Sequence, residues 1–134
     1  MTWMLDTCTL IHLIREQDMQ LIEKFRSWRA DEILVSSITV AEMEYGAAKS
    51  ARPEQNRDAL YQFLSPLTLV PFDPKAAGEY GLIRASLEKA GKPIGAMDML
   101  IAAHAKSLGA IIVTDNTKEF QRIQGLSIEN WIRR

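Results

Sequence analysis

Four acidic residues stand in contexts that disfavour a bare carboxylate: Asp6 after the apolar run WML, Glu42 in SSITVAEME, Asp98 in IGAMDML, and Asp115 after AIIVT. Carboxylates gathered at one place repel one another and are driven to protonate unless a cation neutralises them. A cluster offering only oxygen, without His or Cys ligands, points to Mg²⁺ or Mn²⁺ rather than zinc. Asp6 and Asp98 could hold such an ion, which would supply charge to bind a phosphate, lower the pKa of a water and stabilise a leaving oxygen. Glu42 and a fourth group then position the water or a second ion.

Each acid also has a purely structural use. Asp6, in a strand-to-helix turn, is placed to cap a helix. Glu42 lies three residues after Thr39, the spacing of a capping box, and Glu119 stands likewise to Asn116. Asp115 can bond the backbone of a turn. Asp98 is the hardest to dismiss, because Met97, Met99, Leu100 and Ile101 flank it, and an ionised acid in such company is unfavourable unless paired or metal-bound. His104 reads as a helix-surface or satisfied core histidine, and Met97 and Met99 as packing residues.

Elements able to bring these acids together are visible in the periodicity. Short apolar runs rich in Ile and Val (WML, EILVSS, LTLVPF, AIIVTD and, weakly, LSIEN) alternate with helical patterns. The helical patterns run over 9–15, 19–28, 40–50, 54–64, 74–89 and 97–108. Strand and helix in alternation predict a three-layer α/β domain, a central parallel sheet wrapped by helices. In such a sheet the carboxyl ends of all strands lie along one edge, so acids just after Leu5, Val35 and Val113 can converge. Asp98 joins them from the first turn of its helix, where the dipole favours negative charge. Pro53 and Pro74 sit where helices begin, Gly91 and Gly109 where they end. Two helical segments between the second and third strands predict an αα-hairpin.

The composition excludes several classes. At 134 residues the chain is read as one domain, 1–134, with 47% hydrophobic and 25% charged residues and no repeat or linker. One cysteine, Cys8, rules out an internal disulfide framework and fits a reducing compartment. No signal-like segment or long apolar stretch is present, so a soluble cytoplasmic protein without a membrane partner is expected. A net charge of -1 means that any polyanion must be bound locally. The basic candidates are Lys49, Arg52 and Arg57, then Lys89 and Lys92, then Arg133 and Arg134, all equally readable as solvated surface.

Taken in order, MLDTCTLI, SSITVAEMEYG, GKPIGAMDMLIAAHAKSLG and IIVTDNTKEFQRIQGLSIENW resemble the PIN-domain ribonucleases, and within them the VapC toxins of toxin-antitoxin pairs. The resemblance covers essentially the whole chain. It implies a PIN-like fold, a Mg²⁺-dependent endoribonuclease cutting structured RNA such as tRNA, and a homodimer that a VapB-type antitoxin inhibits within a larger complex. The family's first Asp matches Asp6, its TxxE glutamate Glu42, and its IxxxD aspartate Asp98. At the fourth site TDN offers Asp115 and Asn116, with Glu119 close by. Where the family commonly reads DTN, this chain has Cys8, and a thiol orients carboxylates poorly compared with an amide. Its sulfur either sits beside the acids or packs against Leu10 or Ile11.

Two other readings are consistent with the same elements. A haloacid-dehalogenase-like phosphatase would use Asp6 as nucleophile but needs a second acid two residues on, where Cys8 stands. A non-catalytic binding module could share the scaffold, since fold alone does not give function.

Overall fold

The computed structural model describes residues 1–16 and 30–132. The five apolar runs form five strands: β1 (Trp3–Leu5), β2 (Ile33–Ser36), β3 (Thr68–Val70), β4 (Ile111–Val113) and β5 (Ile128–Glu129). All neighbours are parallel, in the order β3-β2-β1-β4-β5. Around them lie α1 (Thr7–Glu16), α2 (Ser37–Ala48), α3 (Pro53–Leu64), α4 (Pro74–Lys89), α5 (Ala96–Ser107) and the short α6 (Thr117–Phe120). The expected helix over 19–28 lies outside the described residues.

The period-two alternation of the strands divides the interior into two cores. Met4, Leu34 and Ile112 point to one face and pack with Ile83 and Leu87 of α4 and Ile101 and Ala105 of α5. Trp3, Leu5, Ile33, Val35 and Val113 point to the other and pack with Leu10 and Leu13 of α1 and Leu60 and Leu64 of α3. The sheet is therefore covered on both sides, as parallel sheets require.

Helix ends follow local chemistry. Pro53 and Pro74 occupy first-turn positions, and the Asp73 carboxylate caps α4 through Ala76 N–H at 2.9 Å. Gly91 and Gly109, at φ 67° and 65°, end α4 and α5 in the left-handed conformation. The expected αα-hairpin is α2 and α3, clamped by Arg57 and Tyr61, which both donate to the Glu44 carboxylate at 2.9 and 2.7 Å.

Sequence and structure differ at the start of α2. Ser36, not Thr39, is the cap: its Oγ accepts the Ile38 N–H at 3.1 Å, and Thr39 is buried inside the helix. Glu42 is thus no capping-box partner. His104 is a satisfied core histidine. Its Nδ1 lies 2.7 Å from Ser36 Oγ, its ring meets Phe72 edge-on, and burial pushes its pKa down. Met99 packs in the core as expected, but Met97 is 46% exposed in the first turn of α5.

Ile112 is fully buried in a strand paired on both sides, whereas Leu82 is 70% exposed. Ile112→Ala is expected to cost about 2–5 kcal/mol and Leu82→Ala under about 0.5 kcal/mol in urea unfolding. Equal losses would place the core elsewhere.

Candidate active site

The site lies where the strand order reverses. From β1 the chain moves outward to β2 and β3, then crosses back to β4 on the other side of β1, which leaves a crevice at the carboxyl ends of β1 and β4. Asp6 N–H donates to the Val113 carbonyl at 3.0 Å, and the Thr9 hydroxyl donates to the same carbonyl at 3.2 Å. These bonds fix the start of α1 against the end of β4.

Asp6 both caps α1 and enters the site. Its Oδ1 accepts the Thr9 N–H at 2.8 Å, and its side chain is buried. Burial raises its pKa, hydrogen bonds from the Thr114 hydroxyl and from Thr9 oppose the rise, and the charge of Asp115 adds to it. Asp98 stands in the first turn of α5, one Oδ 3.7 Å from where a side chain would begin at Gly95. Every influence on its carboxyl has the same sign: burial first, then repulsion from Asp6, Glu119 and Glu42, pushing it up to about 6.

Glu42, on α2, accepts the Thr7 hydroxyl at 2.6 Å. Glu119, on α6, accepts the Asn116 side-chain amide at 2.9 Å. Asp6, Glu42, Asp98 and Glu119 thus share one electrostatic neighbourhood, and Asn116 joins it through Glu119. Asp115 faces Asp6, and its carboxylate also accepts from Asn130 at 3.2 Å. Cys8 is exposed on α1, which removes its packing alternative. Thr7 and Thr114 are site residues that the acid pattern alone did not single out.

The donor set suits a hard divalent cation: it is all oxygen, and the Asp98 carboxylate has repulsion from three acids and no compensating cation among the influences on it. Among the described residues no three His, Cys, Asp or Glu side chains close on a single point. The fit therefore rests on the oxygen chemistry of the donor set alone.

Arg57 is engaged with Glu44, and Lys49 lies over the Tyr45 ring at 4.9 Å, so this basic group is tied to the hairpin's outer side. Lys89 and Lys92 are exposed near the end of α4, and Arg133 and Arg134 lie outside the described residues. A groove of about 200 Å³ runs between α1, α2 and α3. It is walled by Ile11, Ile14, Met43 and Leu60, with Glu42 and Arg15 also on its lining. Among the described residues no helix is long and apolar enough to cross a membrane.

Residues 3–126 match the PIN domain family. The chain is similar to ribonuclease VapC2 of Haemophilus influenzae, at 45% identity over 97% of this chain and 98% of that protein. It is also similar to the tRNA(fMet)-specific endonuclease VapC of Shigella flexneri, at 41% identity over 96% and 97% of the two chains. Among solved structures, DNA-bound VapBC from Salmonella typhimurium superposes with a TM-score of 0.94 at 41% identity, covering 98% of this chain and 99% of that one.

The raised Asp98 carboxyl has a stability consequence. A group whose folded-state pKa exceeds its unfolded value stabilises the fold below the unfolded value and loses that contribution as pH rises through the folded one. The window runs from 3.8 to about 6. In EDTA, Asp98→Asn is therefore expected to gain stability over the parent chain as pH rises from 4 to 7, by about 1–2 kcal/mol once solvent screening of a half-buried carboxyl is allowed for, read by urea unfolding. A difference independent of pH would contradict the placement of Asp98.

Proposed function

The chain belongs to the PIN domain family, in its VapC group, and on that premise we propose that it is the toxin of a type II toxin-antitoxin pair, a metal-dependent endoribonuclease that cuts tRNA. The observation that carries the reading is electrostatic: the Asp98 carboxyl, in the first turn of α5, feels repulsion from Asp6 at the end of β1, Glu42 on α2 and Glu119 on α6. The relatives' activities support it, since proteins named ribonuclease and tRNA(fMet)-specific endonuclease match nearly end to end. The initiator tRNA is accordingly the substrate we propose. The whole chain, 1–134, is taken as one PIN domain acting in the cytoplasm.

Asp6 and Asp98 would hold Mg²⁺, with Mn²⁺ able to replace it. When bound, the ion supplies charge neutralisation at the scissile phosphate and at the leaving oxygen. Asp6 is pre-oriented for this by its cap bond to Thr9, and Asp98 by its place in the first turn of α5. Glu42, which accepts the Thr7 hydroxyl, would orient the attacking water and accept its proton. The fourth group would come from the segment 115–119: Glu119, braced by Asn116, acts on Asp98, and Asp115, bonded by Asn130, acts on Asp6.

Inhibition follows from the groove. A VapB-type antitoxin would lay an apolar segment between α1, α2 and α3 and aim an Arg at the acids, where a guanidinium can pair carboxylates bidentately. The toxin homodimer and its larger assembly with antitoxin belong to the same reading.

Cleavage of an initiator tRNA transcript is expected to fall on the order of 10²- to 10³-fold in Asp6→Asn and Asp98→Asn, and to vanish in EDTA. Of Glu119→Gln and Asp115→Asn, the one with the larger loss of activity marks the fourth acid. Wild-type cleavage by Asp98→Asn would sink the assignment. For the partner, Gly46 lines the groove and has open space around its Cα, so Gly46→Arg should fold normally and fill it. Co-purification with antitoxin should then be lost. A Gly46→Arg toxin that still co-purifies at full yield would move the antitoxin to another surface.

A further inference from the structure

Thr7 is the first residue of α1, and capping the helix start is the task of the residue before it. Asp6 performs that task, its carboxylate accepting the Thr9 N–H at 2.8 Å. The Thr7 hydroxyl instead reaches across to α2 and donates to Glu42 Oε1 at 2.6 Å, a bond between residues 35 apart in sequence. The bond runs from the hydroxyl to the carboxyl oxygen, and its length is at the short end of the O–H···O range.

A glutamate has three rotatable torsions and, at a half-buried site, many accessible rotamers. One short bond to Oε1 selects among them, and Oε2 has no hydrogen-bond partner among the described residues. We propose that Thr7 is a positioning residue for Glu42: it fixes the carboxylate that serves the attacking water and sets the spacing of α1 and α2 at the mouth of the crevice. The proposal rests on the nuclease reading above and adds to it a residue outside the acid set. Asp6 and Thr7 are consecutive, so one helix start orients two of the converging acids, the first by carrying it and the second by gripping it. Threonine suits the position better than serine would, because its β-branch restricts χ1 and keeps the hydroxyl pointed across the gap.

The test uses the full chain with Mg²⁺ and an initiator tRNA transcript. Thr7→Val, which keeps the shape and loses the hydroxyl, is expected to lower kcat about 10- to 100-fold with KM nearly unchanged. Thr7→Ser should restore most of the rate. The Mg²⁺ concentration that half-saturates thermal stabilisation should move less than about twofold, because Asp6 and Asp98 are intact. In a Glu42→Ala background Thr7→Val should cost nothing further, which a merely structural loss would not reproduce. If Thr7→Val does not unfold cooperatively, Thr7→Ala is read in its place. An inactive Asp98→Asn beside a fully active Thr7→Val overturns this proposal alone. Wild-type cleavage by Asp98→Asn overturns the nuclease site and this proposal with it. An equal loss from Thr7→Val with and without Glu42 also overturns it.

Discussion

Repulsion among carboxylates at the end of β1 is the constraint around which the rest of the structure is arranged. Asp98 is pushed up to about 6 by burial and by three neighbouring acids, and Asp6 is pushed up by burial against the opposing bonds of Thr114 and Thr9. A fold concerned only with stability would spread these charges apart. Here each arrives on a different element, and the elements are held in place from outside the cluster. The Asp6 N–H and the Thr9 hydroxyl both bond the Val113 carbonyl, Ser36 caps α2, and His104 ties α5 to Ser36. The scaffold's stability thus comes from two apolar cores, leaving the polar edge free to be strained.

That division explains how the sheet serves the site. β1 and β4 are central and buried, so their carboxyl ends are fixed to within the pairing register Trp3–Ile111, Met4–Ile112 and Leu5–Val113. A one-residue slip would exchange the two cores and turn Asp6 away from the edge. The hydrophobic pattern that builds the interior is therefore also what aims the first acid. His104 extends the same logic to the helices: buried, neutral and bonded to the α2 cap, it joins the helix bearing Asp98 to the one bearing Glu42.

Much of this was legible in the sequence wherever the signal is local. The five strands fall inside the five apolar runs, and Pro53, Pro74, Gly91 and Gly109 mark helix ends, because backbone sterics act within a few residues. The convergence of Asp6, Glu42 and Asp98 followed from the rule that parallel strands end along one edge. What failed was chemistry that depends on which of several adjacent groups wins. Thr39 and Glu42 have capping-box spacing, yet Ser36 sits earlier and captures the helix start. Asp115, Asn116 and Glu119 are near neighbours in sequence, which left open which of them completes the acid set, and in the structure Glu119 acts on Asp98 while Asp115 acts on Asp6. Thr7 was hidden for the same reason, since a hydroxyl beside a capping Asp gives no hint that its acceptor lies on another helix.

Glu42 also connects catalysis to inhibition. It belongs to the acid neighbourhood of Asp98, accepts from Thr7, and lines the groove between α1, α2 and α3 together with Arg15. A segment seated in that groove therefore meets the same carboxylate that the proposed chemistry requires. An occupant need not cover the whole crevice to silence the enzyme: drawing Glu42 or Thr7 toward itself breaks a 2.6 Å bond and releases the carboxylate from its working position. In the proposed complex, a partner that pairs this glutamate would gain binding energy from a carboxyl otherwise crowded among other acids. Affinity and inhibition then have one physical source, the uncompensated negative charge at the end of the sheet.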